Sequence, residues 1–321
     1  MLRYVVRRVL FSIPVLLVAS FLLFTAVRVT FDPTDRLRHS PDPQAVQRAR
    51  HELGLDKPIA VQYRSWLSGF VRGDWGESSR TREPVYPVIR RACWNTLQLV
   101  VWAVLFAMLV AVGVGVLSAA RQYSLSDYAL TSLSFLGLSM PPFWFGLIAI
   151  QFMAVYPQDW FNLRSTPFFF VGLRSSTTSG VTDYVRHLVL PVLTLTVQLV
   201  ASWSRYQRAS MLDALSADYV RTARAKGVPD RQVIFKHAFR NAVIPLVTVM
   251  ALDMGTLAGG LIVTEQIFSI PGMGRLFVDS LLSGDANVLV AWTVVTAMFV
   301  IGFNLLADLV YGSVDPRIQR P

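Results

Sequence analysis

Hydrophobic and polar positions alternate along this chain in long blocks rather than at the short period of an amphipathic surface helix. Apolar runs cover Val9 to Val29, Asn95 to Ala120, Tyr128 to Tyr156, His187 to Tyr206, Ala242 to Thr264 and Val288 to Tyr311. Each is about 20 residues or more, enough for a helix to cross the ~30 Å hydrocarbon core of a bilayer. Backbone amides in lipid must be satisfied within the segment, so the blocks predict helices. The first run follows Arg3, Arg7 and Arg8. It is long for the core of a signal peptide and no small-x-small cleavage site follows it, so an uncleaved span is expected.

Helix breakers punctuate the blocks. Pro141-Pro142 interrupts the third, Pro191 opens the fourth and Pro245 opens the fifth. Non-helical backbone at membrane depth is tolerated where protein buries it or where it lines a water-filled cavity. A packing kink and a translocation path both fit. The polar stretch from Thr30 to Ala92 carries Leu53, Leu55, Ile59, Tyr63, Trp66, Leu67, Phe70 and Trp75, which predicts a small cap on the ends of the spans. Turns at Asp32-Pro33 and Gly73-Asp74 would divide it.

Composition agrees with the pattern. The chain has 321 residues, of which 53% are hydrophobic and only 16% charged, against about a quarter charged in soluble domains. Its net charge of +10 does not argue for nucleic acid, because the cations flank the apolar spans. With the N-terminus cytoplasmic, Arg3, Arg7, Arg8, Arg121, Arg205, Arg208, Arg221, Arg224, Lys226, Arg231, Lys236, Arg240, Arg317 and Arg320 fall inside. The short outer loops then hold only Arg164, Arg174, Arg186 and Arg275. That bias predicts both termini in the cytoplasm. Cys93 is the single cysteine, and the four histidines are scattered, so neither an internal disulfide nor a metal site is expected.

No catalytic motif is present. The three lysines precede Pro58, Gly227 and His237, so none fits a phosphate-binding loop, and neither HExxH nor GxSxG occurs. Asp253 is the titratable residue that stands out within a span. A carboxylate there costs about 2.5–3.5 kcal/mol on insertion scales and should face protein or water. Substrate contact, an interhelical hydrogen bond at the subunit interface and a proton relay all fit, though a lone acid makes the relay the weakest. Gly255, Ala258, Gly259 and Gly260 form a small-residue face suited to close helix or subunit contact.

The segment Asp218 to Pro245 is the most informative. It is basic, short and held between two spans. Asp213 to Lys226 reads as a helix rich in alanine, Gly227 as its left-handed stop, Pro229 as a break, and Asp230 as the N-cap of a second helix over Arg231 to Ala242. A basic hairpin lying flat on lipid is the plainer alternative. The central break favours a protruding tip that a partner grips.

These residues resemble the coupling motif of ABC importer permeases, in the dipeptide/oligopeptide form. Small residues (Thr222, Ala223), then Gly227, then an apolar run to Ile244-Pro245 follow the family pattern. Arg221 stands where the general motif carries an acid, and the closing proline lies further from the glycine than in sugar permeases. Both departures resemble the peptide-transporter version. Glu52 to Ser78 resembles the outer segment of that family's B-type permease. Glu265 to Asp285 resembles its last outer loop, and Asp308 to Arg317, ending in VDPRI, its tail.

The resemblance implies an all-α polytopic membrane protein of the type I ABC importer permease fold, with six transmembrane helices. Residues 1–29 would form the first helix, 30–92 the extracytoplasmic cap, 93–311 the permease domain with its coupling loop at about 213–241, and 312–321 a cytoplasmic tail. It implies a subunit of an ATP-driven importer of dipeptides or oligopeptides in a bacterial cytoplasmic membrane, and not an enzyme. Nickel complexes or another small solute are the alternative cargo. A stand-alone channel or secondary transporter would need acids in several spans. A membrane-embedded enzyme would need a nucleophile–base pair or metal ligands at membrane depth.

The partners implied are a second permease, two cytoplasmic ATPases that carry ATP and Mg, an extracytoplasmic binding protein and membrane lipid, with no nucleic acid. Arg221, Thr222, Ala223, Arg224, Gly227, Pro229 and Arg231 would couple to an ATPase. Asp253, Gly255 and Gly259 would serve the path or the subunit interface. Trp66, Asp74, Trp75 and Arg275 would meet the binding protein.

Overall fold

The protein's computed structural model describes residues 2–31, 34, 44–52, 54–175 and 180–314. The Asp32-Pro33 turn and the end of the VDPRI tail, with Arg317 and Arg320, lie outside these. Among the described residues the secondary structure is helical: α1 (Leu2–Thr30), α2 (Ala45–Glu52), α3 (Ile59–Arg72), α4 (Val85–Ala120), α5 (Leu125–Ser139), α6 (Pro142–Ile150), and α7 (Tyr156–Trp160) reached through a π turn. Then come α8 (Val181–Ser216), α9 (Asp218–Ala225), α10 (Asp230–Gln232), a π turn over Val233–Ala238, α11 (Phe239–Ala258), α12 (Ile262–Ile267), α13 (Met273–Ser283) and α14 (Ala286–Val314).

Five helical segments are long and apolar enough to cross a membrane: Val9–Thr30, Val85–Ala120, Val181–Ser216, Asp230–Ala258 and Ala286–Ala307. The pair Leu125–Ser139 and Pro142–Trp160 is long and apolar enough only when taken together, and it bends by 101° at its break; counted as one broken span it makes six. The bend sits on the predicted proline pair. Met140 is extended (ψ 123°) because the ring of Pro141 excludes the helical conformation before it, and Pro142 starts the next helix at its first turn. This is a turn through about a right angle, larger than a packing kink.

The helices run past the apolar blocks. Each of α4 and α8 has 36 residues, about 54 Å at 1.5 Å per residue, well beyond the hydrocarbon thickness. Pro191 and Pro245 therefore lie inside α8 and α11 rather than at their starts. Hydropathy marks the stretch in lipid, while polar turns beyond it remain helical when they find partners. At the start of α8, Asp183 accepts from Ser175 N (3.0 Å) and Ser175 Oγ (2.6 Å), and Arg186 donates to the Pro167 carbonyl (2.9 Å).

The main pairing is α4 against α8, with α11 packed on both α8 and α14. The central core holds Leu99, Ala103, Ala107, Leu190, Trp203, Leu246, Phe268 and Ile270. Buried alanines along α4 let the two long helices approach closely. The outward faces keep Leu105, Phe106, Leu109, Phe135 and Leu147 exposed, as expected of surfaces that meet lipid or another subunit.

In the cap, α3 leans on α1 through a column of aromatic rings. Phe24 and Tyr63 lie 5.6 Å apart, Tyr63 and Trp66 6.0 Å, Trp66 and Phe70 5.0 Å, and Phe70 and Trp75 4.3 Å. The column ends on Tyr86 of α4, edge-on to Trp75 at 5.1 Å.

Candidate functional site

The predicted coupling loop sits at the end of the bundle where α4 and α8 finish and α11 approaches. The helix expected over Asp213 to Lys226 is broken. α8 continues to Ser216, Ala217 is extended (ψ 150°), and α9 starts afresh at Asp218. Ser216 Oγ donates back to the Asp213 carbonyl (2.9 Å), satisfying one of the orphan acceptors at that terminus.

α9 then stops in a Schellman motif. Val228 N donates to the Ala223 carbonyl (3.2 Å) and Gly227 N to the Arg224 carbonyl (2.9 Å). Gly227 has φ +76°, with nothing within 4 Å of the position a Cβ would take. Its constraint is therefore conformational rather than steric.

The second helix begins one residue earlier than expected. Pro229 is the N-cap and Asp230 the first helical residue, since the fixed φ of Pro229 presets the entry. Asp230 places its charge at the helix start, where the dipole favours an anion. It also meets Arg224 across the turn at 3.6 Å. From there the helix runs through the π turn directly into α11.

This tip has two faces. Val220, Ala223, Val233 and Ala238 are buried against Met211, Ala214, Val116 and Ala119 from the ends of α8 and α4. Arg221, Thr222, Arg224, Gly227, Pro229 and Arg231 are exposed. Of the residues predicted to couple, Ala223 alone faces inward.

Beside the loop lies an ion pair that sequence reasoning missed. Arg208 of α8 holds Asp127 of α5 in a fork, Nε to Oδ1 at 2.8 Å and Nη2 to Oδ2 at 2.9 Å. Arg208 Nε also donates to Ser118 Oγ of α4 (3.0 Å), and Ser118 in turn donates to Asp127. Tyr123 N (3.0 Å) and Thr131 Oγ1 (3.3 Å) also donate to the carboxylate. Three helices are pinned at the base of the lever. The available signal was Ser124-x-x-Asp127, an N-cap pattern with Asp127 N donating to Ser124 Oγ at 3.3 Å. Arg208 reads along the sequence only as one more flanking cation.

Midway through the bundle, Asp253 of α11 accepts from the Trp203 indole of α8 at 2.7 Å. Trp203 is fully buried and Asp253 half-buried. Gly255 and Gly259 face α14 of the same chain. A Cβ on Gly255 would meet the Val300 backbone at 3.2 Å, and one on Gly259 would meet Thr296 Cγ2 at 2.5 Å.

At the opposite end, Trp66 and Trp75 belong to the aromatic column. Trp75 also shares an apolar cluster with Met273 and Leu276, which flank Arg275 in α13. Asp74 is exposed and accepts from Gly76 N at 3.2 Å. The Arg275 guanidinium lies 4.0 Å from Asp279.

The loop between α11 and α13 is organised by a residue the sequence did not single out. Glu265 is fully buried. It accepts from Thr96 Oγ1 of α4 (2.6 Å), Leu261 N (3.3 Å) and Arg275 N (2.9 Å). Thr96 Oγ1 accepts from Met273 N at 2.8 Å. The carboxyl thus caps α13, whose N-cap Gly272 offers no side chain. A Cβ on Gly272 would stand 2.4 Å from that carboxyl, so the glycine makes the approach possible. Burial pushes the Glu265 carboxyl above its ordinary range, opposed by its hydroxyl and amide donors. Next to this loop opens a cavity of about 1010 Å³, lined by Trp94, Asn95 and Gln98 of α4, Arg174, His187 and Pro271 among others.

Among the described residues no cluster of three or more His, Cys, Asp or Glu has the arrangement to hold a metal ion. Comparison with known proteins gives the arrangement its family. Residues 111–320 match the binding-protein-dependent transport system inner membrane component, and residues 1–105 match the N-terminal region of such membrane components. The chain is 41% identical to the oligopeptide transport system permease protein AppB of Bacillus subtilis, over 99% of this chain and all of the relative. It is 38% identical to the oligopeptide transport system permease protein OppB of Mycobacterium tuberculosis, over 99% of each chain. It is 36% identical to the dipeptide transport system permease protein DppB of Escherichia coli, over 100% of this chain and 99% of that one. With these matches along its whole length and an all-helical, membrane-spanning architecture, the chain belongs to the binding-protein-dependent transport system inner membrane component family, the type I permeases of ABC transporters.

Proposed function

We propose that this chain is one of two permease subunits forming the path by which an ATP-driven importer moves dipeptides or oligopeptides across the cytoplasmic membrane. The observation that carries the reading is the tip from Asp218 to Arg231. It is a short helix, firmly seated on α4 and α8, with its polar face free, in a chain that has no nucleotide-binding motif. A lever of that kind needs a partner that supplies the work. Names of the relatives support peptides over nickel complexes or another small solute as cargo.

In this reading both termini are cytoplasmic and the tip faces the cytoplasm, where it engages one of two ATPases that carry ATP and Mg. The exposed side chains of Arg221, Thr222, Arg224 and Arg231 meet the ATPase surface, while Gly227 and Pro229 shape the turn. Motion of the ATPases passes through the buried face at Val220, Ala223 and Val233 into the ends of α4 and α8. The Asp127–Arg208 fork couples α5 to the same movement, so the bent third span shifts with the lever. A binding protein delivers substrate at the other end, next to Trp66, Asp74, Trp75 and Arg275. Asp253, Gly255 and Gly259 set how α8, α11 and α14 pack around the path.

Gly227→Val and Arg224→Glu test the coupling. Valine at φ +76° costs about 1–2 kcal/mol locally. Glutamate at 224 reverses the charge at that position and repels Asp230. Both variants should insert and assemble normally, keep ATP hydrolysis, and lower peptide uptake by about tenfold, within the usual range of coupling between two sites. Measurement is uptake per ATP hydrolysed in proteoliposomes of the whole complex. Unchanged uptake in both variants at normal protein level removes the coupling assignment.

A further inference from the structure

The cavity beside the Glu265 loop carries a chemical signature that the coupling argument leaves unused. Its one fixed charge is Arg174, and no carboxylate is among its lining residues. Asp183, the nearest acid in sequence, is engaged by Ser175 N and Oγ. Arg174 has no acidic partner among the described residues, and its guanidinium lies 5.2 Å over the ring of Tyr184. That cation–π contact steadies the exposed guanidinium without using its N–H donors.

Two amides stand on the wall made by α4. Asn95 donates one N–H to the Pro271 carbonyl at 2.9 Å, which orients it. Gln98 donates to the Trp94 carbonyl (3.2 Å) and accepts from the Tyr184 hydroxyl (2.8 Å). Each is fixed by the fold and keeps a second N–H. Tyr184 thus serves both sides of the site, supporting Arg174 with its ring and Gln98 with its hydroxyl. Trp94, 65% exposed, adds an apolar wall. The arrangement is a recessed site for a small anion with an apolar body. It is an open cleft of about 1010 Å³, at the upper end of the size range of ligand clefts.

We infer that this cavity is a subsite of the permease for the C-terminal carboxylate of the incoming peptide. Arg174 takes the carboxylate with its two-pronged fork, Asn95 and Gln98 offer amide hydrogens, and Trp94 covers the last side chain. The inference rests on the peptide-permease reading and places the substrate at the outer mouth, before the spans open. A guanidinium fork bound to a carboxylate is stronger than a neutral hydrogen bond and geometrically selective, so the site favours a free C-terminus over a blocked one.

The test uses the complete reconstituted transporter with its binding protein, one short peptide, and the same peptide as its C-terminal amide. The ratio of acid to amide uptake is compared between wild type and Arg174→Gln. The binding protein is the same in both, so its own preference cancels in the comparison. Arg174→Gln should lower the ratio by about tenfold. Arg174→Lys, which keeps the charge and loses the fork, should lower it by about threefold and serves if the first variant does not assemble.

A ratio that stays at the wild-type value overturns the subsite, whether uptake is unchanged or both peptides slow equally. The second of these outcomes makes Arg174 a contact for the binding protein instead. A wild-type complex that imports neither peptide overturns the peptide-permease reading itself, and the subsite with it.

Discussion

The two ends of the bundle are stabilised in opposite ways. At the lever end an apolar cluster supports a polar surface: Val220, Ala223, Val233 and Ala238 are buried, and the arginines project. At the other end the polar groups are inside. Glu265 is fully buried and its donors come from residues 96, 261 and 275. The first end presents its charges outward, and the second holds its loops from within. Under the proposed coupling role, a surface that meets a partner tolerates exposed side chains of low individual worth. The loop beside the cavity is fixed from within, and buried hydrogen bonds do this because breaking one leaves a partner unsatisfied.

The sharpest way to break this contrast is at the base of the lever, where it is least pure. Asp127 and Arg208 form the fork that joins α5 to α8, with side chains 3% and 27% exposed. Arg208→Ala leaves the Asp127 carboxylate buried without its cation. Losing one partner of such a pair costs about 3–5 kcal/mol. We expect a clear fall in the thermal stability of the detergent-extracted complex, largely restored by Asp127→Asn in the same chain. No recovery in the double variant would mean that Arg208 acts through something other than Asp127.

The mouth provides the next test. In Glu265→Gln one amide nitrogen replaces an oxygen that accepts from Thr96 or from Arg275 N. A donor then faces a donor, at about 1–3 kcal/mol for the unsatisfied group. The expected result is lower stability, with increased proteolysis confined to the 260–285 loop and the lever unaffected. Because burial raises the carboxyl's pKa in the folded protein, its proton is held more tightly there than in the unfolded chain. The contribution of Glu265 is therefore fully present below the unfolded pKa and declines as pH rises through the folded one. Glu265→Gln should flatten that part of the pH–stability profile.

Much of this was legible in the sequence because lipid leaves so few options. Blocks of apolar residues became spans, Pro141-Pro142 became a sharp bend, and Gly227 became a left-handed stop. Each signal is local: a length, a ring, a missing Cβ. What stayed hidden depends on partners far apart along the chain. Glu265 reads as an ordinary loop acid until Thr96 is brought to it. Arg208 reads as a flanking cation until α5 presents Asp127. The helix ends were also misplaced, since hydropathy ends at the membrane boundary while α4 and α8 continue beyond it. The break at Ala217 carries no glycine or proline to announce it.

The smallest effect is expected at Asp253, between the two ends, and it decides what the half-buried carboxylate is for. Asp253 Oδ2 accepts from the Trp203 indole at 2.7 Å. Indole is a donor only, so an acceptor must stay at this position, but the acceptor need not be charged. Asp253→Asn can turn its carbonyl oxygen to Trp203 and keep the bond, with a stability change of about 1 kcal/mol or less. Asp253→Leu removes the acceptor and leaves the Trp203 N–H buried without a partner, at about 1–3 kcal/mol. A proton relay depends on the charge that both variants lose. An interhelical tie depends on the acceptor that only the leucine variant loses. Equal uptake in wild type and Asp253→Asn, with lower stability in Asp253→Leu, is the outcome expected of a tie between α8 and α11. Uptake lost in Asp253→Asn at unchanged stability would instead assign the carboxylate to the path.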